Sequence, residues 1–152
     1  MMKRVFVKIL HFLLQEYVLG RSCEWHVLLK RSIIFLGKLE PLQLNHNMIF
    51  VVEQKGTIQI VNDKTVLKLP FLDIQDRVHY PLFPGDEMGL LGFAFHPDFL
   101  GNKFCFVHYV NKNDYSIISR FRTDSFTINP NSEKIILKMK QPYSNHNGGS
   151  IA

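Results

Sequence analysis

The chain has 152 residues, 46% of them hydrophobic and 20% charged, with a formal net charge of +5. That length suits one ordinary domain and that balance is globular, which excludes a disordered tail or a low-complexity linker. The basic residues are scattered and often sit beside carboxylates; Lys3-Arg4 and Lys30-Arg31 are isolated pairs rather than a stripe interleaved with aromatics, so no nucleic-acid partner is expected.

In chain order, residues 1–45 are the least regular. MMKR followed by VFVKILHFLL has the basic start of a secretory signal, but Lys8 and His11 interrupt the apolar run and no small-residue cleavage site follows. The alternative is an amphipathic helix, with Phe6, Ile9, Leu10, Leu13, Leu14 and Tyr17 on one face. No run reaches the roughly 18 apolar residues of a membrane span, so no transmembrane segment is expected. HVLLKRSIIFL at 26–36 reads equally as strand, helix or divergent sequence. Two cysteines, Cys23 and Cys105, make neither a disulfide framework nor a metal-binding CxxC pair.

From Met48 the pattern becomes that of strands. MIFVVEQ and TIQIV are β-branched and aromatic runs separated by Lys55-Gly56, a hairpin signal. Asn62-Asp63-Lys64 then turns the chain into VLKLPFLDI, read as outer strands of one blade whose innermost strand is degenerate or supplied by the N-terminal segment. Residues 73–86 form a loop rich in proline and glycine.

Four apolar segments follow: Leu90 to Phe95, Lys103 to Val110, Tyr115 to Phe121 and Lys134 to Met139. Each is bounded by turn chemistry, namely HisProAsp with Gly101-Asn102, then Asn111 to Asp114, then Asn129-Pro130-Asn131, and finally Pro142. Strands of this length joined by short polar turns describe one four-stranded antiparallel sheet, the unit of a β-propeller. No helix is expected between Lys103 and Met139. Strand alternation sets Leu90, Gly92 and Ala94 on one face and Leu91, Phe93 and Phe95 on the other. Residues 48–70 should form a second, incomplete sheet packed beside it. Cys105, inside PheCysPheVal, reads as a buried free thiol.

The series FVVEQKGTIQIV, PFLDIQDRV, GDEMGLLGFAFHPDF, ISRFRTD, NPNSEKIIL and PYSNHNGG resembles the glucose/sorbosone dehydrogenase family, with HYPLFPGDEMG closest to its hedgehog-interacting protein-like members. The resemblance covers residues 46–152 and implies an all-β fold, part of a six-bladed β-propeller. It leaves 1–45 as a separate divergent segment. It further implies an exported, extracellular protein. Its enzymes oxidise aldose sugars with pyrroloquinoline quinone (PQQ) and calcium. There the histidine of the HNGG segment is the general base, which places that role on His146, and an imidazole suits it because its ordinary pKa lies near 6.5. The acidic or amide side chain just ahead of the GLLG motif contacts substrate in those enzymes, which the resemblance places on Glu87.

Plainer readings stand beside these. Asn145 to Gly149 is also a turn whose side chains bond their own backbone. Asp86 with Glu87 is a weak cation signal, and His79, His96 and His108 read as structural. In the enzymes the quinone-holding cations and calcium ligands come from later blades, so this chain reads as a fragment that binds neither group alone. Two functions follow from the resemblance: oxidation of a sugar substrate in a parent chain, or binding of an extracellular protein ligand by a propeller that is not an enzyme. The long HYPLFP loop favours the second.

Overall fold

The structure, a computed structural model, describes residues 27–29, 32–35, 48–62, 65–83, 85–123 and 126–151. The predicted amphipathic helix or signal segment, and Cys23, lie outside these residues. Two antiparallel sheets face one another. The first contains β1 (Val27–Leu29), β2 (Ser32–Phe35), β3 (Met48–Glu53), β4 (Thr57–Asn62) and β5 (Thr65–Val66) in that order, with β6 (Leu72–Asp73) also paired to β4. The Lys55-Gly56 signal closes the β3–β4 hairpin, where the Gly56 amide donates to the Glu53 carbonyl at 2.9 Å. Ile33 and Ile34 of β2 pair with Val52 and Val51 of β3. The segment set apart as divergent therefore supplies strands to the same sheet, which is the alternative in which it replaces a missing strand. VLKLPFLDI is not a continuous strand. Pro70 cannot donate to a ladder and falls between β5 and β6, each of which is two residues long.

The second sheet is a simple meander of β7 (Leu90–Phe95), β8 (Phe104–Val110), β9 (Tyr115–Arg122) and β10 (Lys134–Lys140). The four expected segments each become one strand, to within a residue at their ends. Between β7 and β8 the HisProAsp turn tightens into a one-turn helix, α1 (Phe99–Asn102). The expectation of no helix between Lys103 and Met139 fails at one place, a 3-10 turn at Pro130–Ser132. There the Asn129 side chain accepts the Asn131 amide hydrogen, and proline at the first position has the right φ already fixed.

The predicted alternation along β7 is also corrected. A bulge between Leu90 and Gly92 shifts the register, so Leu90 pairs with Tyr109 while Gly92 pairs with His108. Leu90 therefore joins Phe93 in the core between the sheets, whereas the bulged Leu91 packs with Met88 and Val110.

That core brings Phe50, Val52, Ile58 and Ile60 of the first sheet against Phe93, Cys105, Val107 and Phe121 of the second, all buried. Phe71 stands edge-on to Phe50 at 4.8 Å between ring centroids, and Phe93 edge-on to Phe95 at 4.7 Å. Each buried phenyl contributes about 1.5–3 kcal/mol over its exposed state. Burial pushes the Cys105 thiol up to about 12, so it remains a neutral apolar group. A polar knot lies against the two inner strands of the second sheet. The Glu133 carboxylate accepts from Tyr109 at 2.7 Å, from Ser119 at 2.6 Å and from Arg77 at 2.6 Å, joining β8 and β9 to the turn that leaves β6. On the outermost strand, by contrast, Ile135, Ile136, Leu137 and Met139 are all exposed.

Candidate functional site

Glu87 and His146, 59 residues apart in sequence, meet at the end of the second sheet where β7 begins. Two loops bring them together. The first, 74–89, leaves the first sheet and is organised around a carboxylate. Asp86, with only 1% of its side chain exposed, accepts hydrogen bonds from the Leu82 amide at 3.0 Å and the Met88 amide at 3.1 Å, and faces His79 Nε2 at 3.1 Å. Burial alone would raise the Asp86 pKa. The bonds from Leu82, His79 and Met88 outweigh it and hold the carboxyl below its ordinary value. His79 is itself placed by its amide, which donates to the Val110 carbonyl, and its Nδ1 stands 3.6 Å from Asp114 Oδ1.

The first sheet reaches into the same loop through Gln54, at the tip of the β3–β4 hairpin. Its Nε2 donates to the Asp86 carbonyl at 2.9 Å and to the Met88 carbonyl at 2.7 Å, and its own carbonyl accepts from the Leu90 amide at 2.8 Å. So close an approach fixes Gly89: its φ is +136°, and a Cβ there would lie 2.4 Å from the Gln54 carbonyl oxygen.

The second loop, 141–151, comes off β10 and returns along β7. Gly149 crosses so tightly that a Cβ on Gly92 would stand 2.1 Å from its carbonyl oxygen, and that oxygen faces His108 Nδ1 at 3.4 Å. Both glycines of the GLLG motif are therefore required by contacts from distant segments. The two loops are fastened at Glu87. Its amide donates to the Ser144 carbonyl at 2.9 Å, and its carboxylate accepts the His146 amide hydrogen at 2.5 Å. His146 sits in the left-handed region at φ +60°, a conformation that costs a non-glycine residue on the order of 1 kcal/mol and that the bond to Glu87 helps to hold.

The two predicted site residues are thus neighbours, but through His146's main chain rather than its ring. Both side chains are exposed. Asp86 and Glu87, the suggested contributors to a cation site, are engaged otherwise. Asp86 is consumed inside its loop and Glu87 caps a backbone amide; among the described residues no three His, Cys, Asp or Glu side chains are placed to hold a metal. Nor do the residues present fit a tricarboxylate quinone. They offer the Glu87 carboxylate and, on the second loop, the buried Asn147 Oδ1, an acceptor without a hydrogen-bond partner, where an anion needs donors and cations. His96 and His108 serve structure. His96 Nδ1 accepts the Asp98 amide hydrogen at 2.9 Å, and His108 Nε2 pairs with Ser116 Oγ at 2.7 Å.

Two meander-like antiparallel sheets packed face to face, with loops from both meeting at one end, define an all-β fold of the partial-propeller kind. No family model matches the chain. Its sequence is similar to hedgehog-interacting protein of Mus musculus, 26% identical over 136 residues, covering 78% of this chain and 19% of the relative. Against hedgehog-interacting protein of Homo sapiens it is 28% identical over 116 residues, covering 68% of this chain and 17% of the relative. The chain thus spans about a fifth of the length of these curated relatives. Its fold is similar to the crystal structure of an oxidoreductase described as a glucose dehydrogenase from Thermus thermophilus, with a TM-score of 0.56 and 19% identity, covering 71% of this chain and 31% of that one.

Proposed function

We propose that this chain is part of a larger extracellular propeller that binds a protein ligand of the hedgehog kind and does not oxidise sugars. The observation that carries this reading is the use of the two family site residues. Glu87 commits its carboxylate to the His146 amide, so the pair acts as a clasp between two loops rather than as a substrate contact beside a general base. A general base needs its ring within hydrogen-bond reach of the proton it removes, and a quinone needs cations that this place does not present. The printed names of the sequence relatives support a protein ligand. A closed propeller needs about four to eight blades, so two sheets belong to a longer ring.

The test is a pair of assays on the purified chain. Interferometry against an immobilised hedgehog protein should show saturable binding, and incubation with PQQ, calcium and glucose should give no dye reduction. Sugar-dependent turnover without hedgehog binding would overturn the proposal.

A further inference from the structure

We infer that Asn147 is a self-modification site: the Gly148 main-chain nitrogen displaces its side-chain amide as ammonia, and the product frees loop 141–151 from β7, whatever ligand the protein binds. Asn147-Gly148 is the one Asn-Gly pair in the sequence, and glycine brings no side chain to shield the attacking nitrogen. Attack needs a side-chain amide free to turn and a main-chain amide free of its own acceptor. Asn147 Oδ1 has no hydrogen-bond partner, and Nδ2 reaches the Tyr143 carbonyl only at 3.4 Å, beyond the ordinary range of such bonds. The Gly148 amide donates to no acceptor among the described residues. Gly148 is exposed, and nothing lies within 4 Å of where a Cβ would stand.

The other asparagines differ. Wherever the residue after one is described, its amide is engaged or missing. The amides of Lys103, Lys112, Asp114 and Ser132, each following an asparagine, donate to main-chain carbonyls at 2.8, 3.1, 2.9 and 2.9 Å. Asn145 precedes the His146 amide, which Glu87 holds at 2.5 Å, and Asn129 precedes a proline, which has no N–H. A bonded amide must first give up its acceptor, so the fold shields these sites and leaves Asn147 open.

In the reaction the Gly148 nitrogen bonds to Asn147 Cγ, the Cγ–Nδ2 bond breaks, and ammonia leaves with the main-chain amide proton. A succinimide ring remains, and water opens it. Addition of water at Cγ leaves aspartate; addition at the main-chain carbonyl leaves isoaspartate, with the chain running through Cβ and Cγ and one carbon longer. The net change is hydrolysis of a side-chain amide, with no oxidant or reductant. Both products put a carboxylate at a position 5% exposed, where the side chain's one bonded neighbour is a carbonyl oxygen that repels it. The loop is pinned on both sides of residue 147, by Glu87 at the His146 amide and by the close crossing of Gly149 over Gly92. A longer, charged link cannot keep both, so the loop lifts from β7 and does not return.

The experiment incubates the purified chain in mildly alkaline buffer at body temperature, folded and in urea. Tryptic peptides are followed by mass spectrometry, with fragmentation to locate the change, and by methylation with an isoaspartyl methyltransferase. In the folded chain residue 147 should convert at least about tenfold faster than any other described asparagine, and urea should narrow the gap. Asn147→Gln, whose longer side chain has to close a larger ring, should stay unmodified at that position. The isoaspartyl form, separated from the rest, should exchange its His146 amide hydrogen faster than the unmodified chain. Conversion at residue 147 no faster in the folded chain than at Asn113 or Asn131 would overturn the site. An isoaspartyl form with unaltered exchange at His146 would overturn the release of the loop.

Discussion

Replacing Glu133 by alanine removes the acceptor at the centre of the polar knot, and the structure gives the size of the loss. The carboxylate, with its side chain 13% exposed, serves three donors: Arg77 at 2.6 Å, Tyr109 at 2.7 Å and Ser119 at 2.6 Å. Ser119 is fully buried and Tyr109 is 3% exposed, so neither hydroxyl finds water when the carboxylate goes. An unsatisfied buried hydroxyl costs roughly 1–3 kcal/mol, while Arg77 keeps its contacts with Asp76 and the Pro130 carbonyl and loses little. The sum is about 3 kcal/mol, a large share of the roughly 5–15 kcal/mol that stabilises a domain. Urea unfolding followed by circular dichroism should show the midpoint falling by about 1–3 M at unchanged slope. Glu133→Gln keeps a carbonyl acceptor for the hydroxyls and should lie between the two. If Glu133→Ala stayed within about 0.5 kcal/mol of the unchanged chain, the knot would not be a stabilising element and the reasoning would fail.

Three further outcomes follow from the same contacts. Gly92→Ala should push segment 147–151 off β7, costing about 1–3 kcal/mol and exposing the His146 amide to faster hydrogen exchange; unaltered exchange there would contradict the close crossing seen at Gly149. Burial lowers the His108 pKa, so the fold binds fewer protons than the unfolded chain just below the ordinary value of 6.5; that stability is full above about pH 6.5 and is lost as pH falls through the window beneath it. His108→Gln should flatten the urea midpoint between pH 8 and pH 5, and a slope that survived the change would assign the effect elsewhere. The exposed Ile135, Ile136, Leu137 and Met139 on the edge strand β10 should make the isolated chain associate as its concentration rises, with Leu137→Lys/Met139→Lys shifting sedimentation towards monomer. A concentration-independent monomer would refute this.

The second sheet was legible because every one of its strands is bracketed by residues with a mechanical reason to turn, such as Asn129-Pro130-Asn131 and Gly101-Asn102. The β7 bulge was not, since it is fixed by pairing with Tyr109 and His108 on another strand and leaves no local mark. VLKLPFLDI, apolar apart from Lys68 and Asp73, reads as outer strands, yet Pro70, which cannot donate to a ladder, carries the break between β5 and β6. At the site, the family motifs led to Glu87 and His146, and the fold brings them together. What the motifs could not carry is the manner of contact, because it depends on His146's left-handed backbone and on loop 141–151 folding back along β7. Gln54, His79 and Asp86 as the braces of the loop were likewise out of reach. The bonds of Gln54 reach residues more than 30 positions away, and single polar residues in a hairpin tip or a proline-rich loop look like solvent-facing ones.

The most direct measurement separates a clasp from a catalytic pair: hedgehog binding by Glu87→Ala beside His146→Asn. Asparagine removes the imidazole yet keeps the amide and tolerates the left-handed backbone. The clasp account predicts that Glu87→Ala weakens binding several-fold as the two loops part, while His146→Asn binds as the unchanged chain does. Activity or binding that is lost in His146→Asn and survives in Glu87→Ala would contradict it.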